Sequence, residues 1–271
     1  MWRNGERWIR KLRDVDVSEL LTGFGNEVEF NDLRRNIKAA DCRLVLRRRG
    51  RGEIQAADSA NSDRVALMIL MNAAISAVLQ VLLLGGIPFF VYAIYQNRRH
   101  ERTFREIARR AGLQLGETRY LLYSLAFVIV GVVVLLIWSP PLAPLIRQGS
   151  AQRQFVGLGF SMTAVTLAIL NGAIQTAFAE ELLFRGLLAG SLSRRLSLPW
   201  ANILQAFIFF LPHLAILLFA PEVWGILPAV FLAALVLGWL RIKSGSILGG
   251  WMMHASGNVT MALIVAVRTS R

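Results

Sequence analysis

The chain has 271 residues, is 55% hydrophobic with a mean hydropathy of +0.50, and carries a net charge of +13. That apolar fraction is too high for a soluble domain, and the apolar residues fall in blocks long enough to cross a bilayer, about 20 residues each. The basic charge sits mainly at the N-terminus and between these blocks, where it suits anionic lipid headgroups; no basic motif interleaved with aromatics supports a nucleic-acid partner.

Residues 1 to 64 are polar and hold 14 of the 30 Lys and Arg residues. They contain no apolar core of a signal peptide, so none is expected. The opening "MWRNGERWIRKLRDV" sets Trp2, Trp8, Ile9 and Leu12 among five basic residues. It reads either as an amphipathic helix on a membrane surface or as a solvated tail. The single cysteine, Cys42, excludes an intrachain disulfide and a cysteine-rich metal cluster. From Cys42, "CRLVLRRRGRGEIQAADSANSD" runs into small polar residues and reads as a linker.

The first apolar segment, Val65 to Tyr95, contains Gly85, Gly86 and Pro88 and predicts one long kinked helix or a broken pair. Tyr120 to Trp138 is the second, closed by "SPPLAP" because proline lacks the N–H a helix needs. Phe155 to Leu192, Trp200 to Phe219, Trp224 to Leu240 and Ile247 to Val267 are the third to sixth. The expected architecture is an all-α polytopic membrane bundle of about six to eight transmembrane helices with a basic N-terminal extramembrane segment. Three parts are expected: a basic cytoplasmic or peripheral segment at 1–64, the first transmembrane segment and basic loop at 65–119, and a membrane core at 120–271.

Residues 97 to 119 carry seven Lys and Arg, and Arg194, Arg195, Arg241 and Lys243 lie on the same side of the predicted bundle. The opposite loops are poorer, so the 97–119 side is expected to be cytoplasmic. Residues 1–64 share that side only if Val65–Tyr95 crosses twice, which is the preferred reading.

Charges are rare in the apolar segments, so "AEELLFRG" at 179–186 is informative. Glu181 and Arg185 are four apart, the spacing at which opposite charges meet on a helix. Glu180 points about 100° away from Glu181 and has no partner on its own helix. A lone carboxylate at membrane depth costs about 2.5–3.5 kcal/mol, so it must find partners elsewhere. The fourth segment offers "FFLPH", with Phe209 and His213 on one face, and the sixth offers "HASGN", with His254 and Asn258 on one face. Taken singly, each polar residue reads as helix-packing glue and Phe209 as packing. Together they predict a polar cluster of a carboxylate, two imidazoles and an amide drawn from three helices. A glutamate in a partly dry cavity can serve as general base to a water attacking a peptide carbonyl. His254 and Asn258 lie one turn apart for the oxyanion, and His213 can orient the water or protonate the leaving amine.

The three motifs "EELLFR", "FFLPH" and "HASGN" resemble those of the CPBP family, the CAAX prenyl protease and bacteriocin-processing membrane proteins also called the Abi family. The resemblance covers roughly residues 120 to 267. It implies a helical membrane bundle and, from the prenyl-protease members, a glutamate-dependent intramembrane endopeptidase. On that resemblance Glu180 is the general base, His213 and His254 belong to the catalytic constellation, and Asn258 helps the oxyanion hole. Glu181 and Arg185 shape the site, with Phe209 as a further supporting residue. No cofactor is expected; the alternative is zinc held by Glu180, His213 and His254, although the His-Glu-x-x-His helix of metalloproteases is absent. The expected substrate is a membrane-associated peptide or protein, and the expected location a multi-pass position in the bilayer, the plasma (inner) membrane in a bacterial host. The competing functions are a non-catalytic immunity or scaffold protein whose polar cluster only locks the bundle, and a proton relay or transporter. No internal repeat supports transport.

Overall fold

The computed structural model describes residues 51–138, 141–218 and 221–270. The amphipathic reading of the opening residues and Cys42 therefore lie outside the described residues. The chain divides into two units, Met1–Asp63 and Arg64–Arg271. In the first, the described part is helical from Arg51 onward, where the sequence reads as a linker. After Gly52 this stretch has no Gly or Pro to interrupt a helix, and its alanines, Glu53 and Gln55 favour one.

Six helices are long and apolar enough to cross a membrane: α1 Asp63–His100, α2 Thr118–Ile137, α3 Met162–Leu192, α4 Leu198–Leu218, α5 Trp224–Ser244 and α6 Leu248–Arg268. No strand occurs among the described residues. The fold is an all-α polytopic membrane bundle. In hydrocarbon every backbone N–H and C=O must be satisfied within its own segment, which is why each apolar block becomes one helix.

α1 corrects one expectation. It is neither a hairpin nor a broken pair. The helix winds as a π-helix over Val81–Gly86 and continues through Ile87–His100 with Pro88 in its first turn. Gly85 packs against α3, where a Cβ would lie 3.1 Å from Leu182 Cδ2. The π turn shifts the hydrogen-bond ladder just ahead of Pro88, so the missing N–H does not break the helix. One continuous helix over this stretch gives no support to two crossings.

α3 also starts later than the apolar run. Gly157 and Gly159 adopt φ of +77° and +61°, which turns the chain, and Ser161 then caps the helix by accepting from Ala164 N–H. Beyond Ala168 most of α3 is π-wound, over Ile169–Phe178 and again over Glu181–Ala189.

α6 packs against α2 and α3, and α4 pairs with α5. Small residues let these helices approach closely. Ala164, Leu167 and Ala168 of α3 and Ala262, Val265 and Ala266 of α6 form one core with Ala73 and Phe155. Between α4 and α5, Asn202 donates to Leu235 O at 2.9 Å and Gln205 to Ala234 O at 2.8 Å, across a notch left by Gly238. α3 and α6 are tied by Asn258 Nδ2 to Gly172 O at 3.3 Å and Trp251 Nε1 to Ala173 O at 2.8 Å.

Gly172 is a close backbone approach in that pair. A Cβ there would lie 3.1 Å from Asn258 Cβ and 3.2 Å from the backbone N of Val259. Backbone cannot swing aside, so Gly172→Leu is expected to force α3 and α6 apart and to cost about 1–3 kcal/mol. Thermal unfolding in detergent checks this, and an unchanged midpoint contradicts it.

At one end of the bundle the 110–117 loop closes onto the turn between α5 and α6. Ile247 N–H donates to Gly112 O at 3.0 Å, Glu117 N–H to Ser244 O at 3.2 Å, and Gln114 Nε2 to Gly245 O at 3.0 Å. The α3 terminus and α1 meet at the same end through Arg194 and Tyr92. This is the arginine-rich end.

Candidate active site

Helix α3 brings Glu180 and Glu181 into the bundle 12 and 11 residues before its end at Leu192, on the side of the arginine-rich end. Glu181 and Arg185 are fully buried, at 0% exposure, with Arg185 Nη1 3.2 Å from Glu181 Oε1. This is the expected i, i+4 pair. The guanidinium also lies over the Phe209 ring, its Cζ 4.0 Å from the centroid. A cation–π contact out of water is worth about 2 kcal/mol, so α4 helps hold the charge that neutralises Glu181.

His254 of α6 joins the two glutamates. Its Nδ1 donates to Glu181 Oε1 at 3.2 Å, and its Nε2 lies 3.8 Å from Glu180 Oε2. The 100° between the two carboxylates on an ideal helix does not keep them from one partner. They leave α3 in different directions, yet each reaches a different nitrogen of one imidazole standing between them. The π winding that begins at Glu181 and the length of the side chains make this possible. Glu181 thereby fixes the ring, because a carboxylate accepting from Nδ1–H sets which nitrogen is left for Glu180.

Glu180 differs from its neighbour. Its side chain is 18% exposed and that of His254 15%, whereas Glu181 has no exposure. Glu180 Oε2 is buried and makes no hydrogen bond. The ionisable side chains acting on Glu180 are His254, His213, Arg185 and Glu181, so groups from α3, α4 and α6 surround it.

His213 is anchored by its own helix. Nδ1 donates to the Phe209 carbonyl at 2.9 Å, which leaves Nε2 as the free nitrogen. Its ring packs on Phe209 with centroids 4.6 Å apart. Phe209 is thus more than packing: it touches Arg185 and His213, and stands edge-on to His254 at 6.4 Å and to Phe184 at 5.1 Å. Asn258 is one turn beyond His254, with its amide hydrogen-bonded to Gly172 O on α3. Its contact is the helix-packing one, and one amide hydrogen remains.

Two residues escaped the sequence reading. Gly250, one turn before His254, faces Glu181, and a Cβ there would lie 2.7 Å from Glu181 Oε2. Phe184 packs on Phe209 from inside the charged motif itself. The i, i+4 spacing of Gly250 to His254 was the available signal.

Glu180, His213 and His254 are also the candidate zinc ligands. Among the described residues, no three His, Cys, Asp or Glu side chains are grouped as a metal ion's ligands are. His254 Nδ1 is committed to Glu181 and His213 Nδ1 to Phe209 O. Both rings keep Nε2 open, the nitrogen that a metal or a water would meet.

Residues 162–260 match the family described as Type II CAAX prenyl endopeptidase Rce1-like, a family of membrane proteases. The matched span runs from the start of α3 to the middle of α6 and contains all three motifs. Neither the curated proteins nor the solved structures contain a match to the chain.

Proposed function

We propose, for a chain whose residues 162–260 form a segment of the CPBP family, that it is an intramembrane endopeptidase hydrolysing peptide bonds of membrane-associated substrates. The observation that carries this reading is the His254 ring between two unlike carboxylates, one fully buried and ion-paired, the other partly exposed with an oxygen making no hydrogen bond.

Each group has a role in the chemistry. Glu180 Oε2 and His254 Nε2 are 3.8 Å apart, too far for a direct hydrogen bond and suited to a water touching both. Glu180 takes a proton from that water as its oxygen attacks the scissile carbonyl carbon. The bond to the leaving nitrogen then breaks, and the proton passes from Glu180, directly or through His213 Nε2, to the leaving amine. The remaining N–H of Asn258 is the donor nearest in sequence for the oxyanion. Glu181 and Arg185 touch no substrate; they are positioning residues that hold His254 in the ring orientation the water needs.

Comparing membrane peptides from cells carrying the wild-type chain and Glu180→Gln tests the reading. Cleavage products present only with the wild type support it. Identical peptide sets overturn it and leave the cluster a lock on the bundle. A chelator in excess is expected to leave cleavage by the purified protein unchanged; loss of cleavage restored by zinc would return the metal reading.

A further inference from the structure

We infer that Arg110, Arg194 and Arg241, gathered at the arginine-rich end, form a binding site for a phosphate-class anion, presented as a lipid headgroup or as free phosphate. The peptidase reading does not enter into this.

Arg241, in the last turn of α5, is 6% exposed. Its Nη2 donates to Arg110 O at 2.8 Å, and its Nε is buried without a hydrogen-bond partner. The ionisable side chains acting on it are Arg194 and Tyr92; no carboxylate is among them. Arg194 donates to Tyr92 Oη at 3.1 Å and Ser191 Oγ at 3.0 Å, and the groups acting on it are Tyr92, Arg110, Arg102 and Arg195. Arg110 Nε is likewise buried and unpartnered. Among the described residues, five arginines (Arg102, Arg110, Arg194, Arg195 and Arg241) thus crowd this end, and no acidic side chain acts on Arg194 or Arg241.

A buried guanidinium without a counter-charge is costly, and packed like charges add to that cost. The convergence has a focus. A Cβ placed on Gly190 would lie 2.9 Å from Arg241 Nη2 and 3.5 Å from Arg194 Nη1, so both forks border one bare strip of backbone. Guanidinium forks match the oxygens of a phosphate, and one such group answers several arginines at once.

The surroundings favour a lipid as the source. The cluster lies at the end of the bundle, where headgroups are met. An apolar cavity of about 540 Å³ lined by Leu113, Leu115, Ile174, Phe178, Ile247 and Trp251 begins beside it. Gly112 borders both: a Cβ there would be 2.7 Å from Arg241 Nε and 3.1 Å from Ile247 Cγ2. An acyl chain has room in the cavity while its phosphate meets the arginines beside it.

The test uses the full chain in phosphatidylcholine nanodiscs with and without phosphatidylglycerol, and separately with inorganic phosphate added to the phosphatidylcholine discs. Native mass spectrometry reads retained lipid, and the thermal midpoint reads stabilisation. Arg194→Gln and Arg110→Gln are the variants, because neither side chain is fully buried; their midpoints without added anion check the fold. Phosphatidylglycerol retained by the wild type and held about tenfold more weakly by each variant supports a headgroup site. Stabilisation by inorganic phosphate that the variants lose supports the same site with free phosphate as its occupant. Equal responses in wild type and variants, or no response to either probe, overturn the proposal.

Discussion

Glu180→Gln is expected to yield a folded, membrane-inserted protein whose cleavage rate is lower by about 10²- to 10⁴-fold, the range that a positioned general base contributes. Glutamine keeps the size and the polar contacts of the side chain but cannot take a proton from water. The fold should not suffer, because Glu180 Oε2 makes no hydrogen bond and its removal leaves no partner stranded. Glu181→Gln makes the contrast. Glu181 is fully enclosed, paired with Arg185 and bonded to His254, so no water reaches it. Its loss should lower activity only by loosening the ring and should lower stability as well. Turnover and thermal midpoint measured on both variants separate the roles. If Glu180→Gln cleaves at the wild-type rate, Glu180 is not the base.

Much of the fold was legible because a bilayer leaves few options. An apolar block that must satisfy its own backbone is a helix, so Tyr120–Trp138 in the sequence corresponds to Thr118–Ile137 in the structure. Hydropathy does not register where a helix stops short. The run from Phe155 is as apolar as the helix beyond it, and only the glycines at 157 and 159 and the Ser161 cap mark the true start. Nor does hydropathy register the tolerance of a neighbouring helix. Gly85, Gly86 and Pro88 left one long kinked helix and a broken pair equally open, and a π turn with packing on Leu182 carries α1 through as one helix. The helical stretch from Arg51 was lost to its small polar residues, which suit a linker and a helix equally well.

The site was legible within helices and obscure between them. Spacing alone gave the Glu181–Arg185 pair and set His254 one turn from Asn258. It could not say which helix faces α3, because that is decided by Gly172 and the alanine core rather than by the polar residues themselves. Ideal α geometry turned Glu180 and Glu181 apart; the π winding and the ring of His254 reunite them. Phe209 read as filler because an aromatic in an apolar segment carries no visible charge. Its face supports Arg185, a contact that exists only once α3 and α4 are packed.

Arg185→Met is expected to be the most destabilising single change in the site, at about 3–5 kcal/mol, because it strands Glu181 as a buried charge. Two losses act together. The ion pair at 3.2 Å goes, and so does the guanidinium on Phe209 that ties α3 to α4. His254 alone then faces Glu181. If the cost comes from the stranded carboxylate, neutralising that carboxylate should return part of it. Glu181→Gln with Arg185→Met should therefore unfold at a higher temperature than Arg185→Met alone, although Met is no better placed in the double variant. The interaction term of the double-mutant cycle should be of the order of 1–3 kcal/mol, the range for residues in direct contact. A double variant as unstable as the sum of the two singles would mean that the arginine acts through packing on Phe209 alone. Activity should not return with stability, because the double variant lacks the carboxylate that holds the His254 ring.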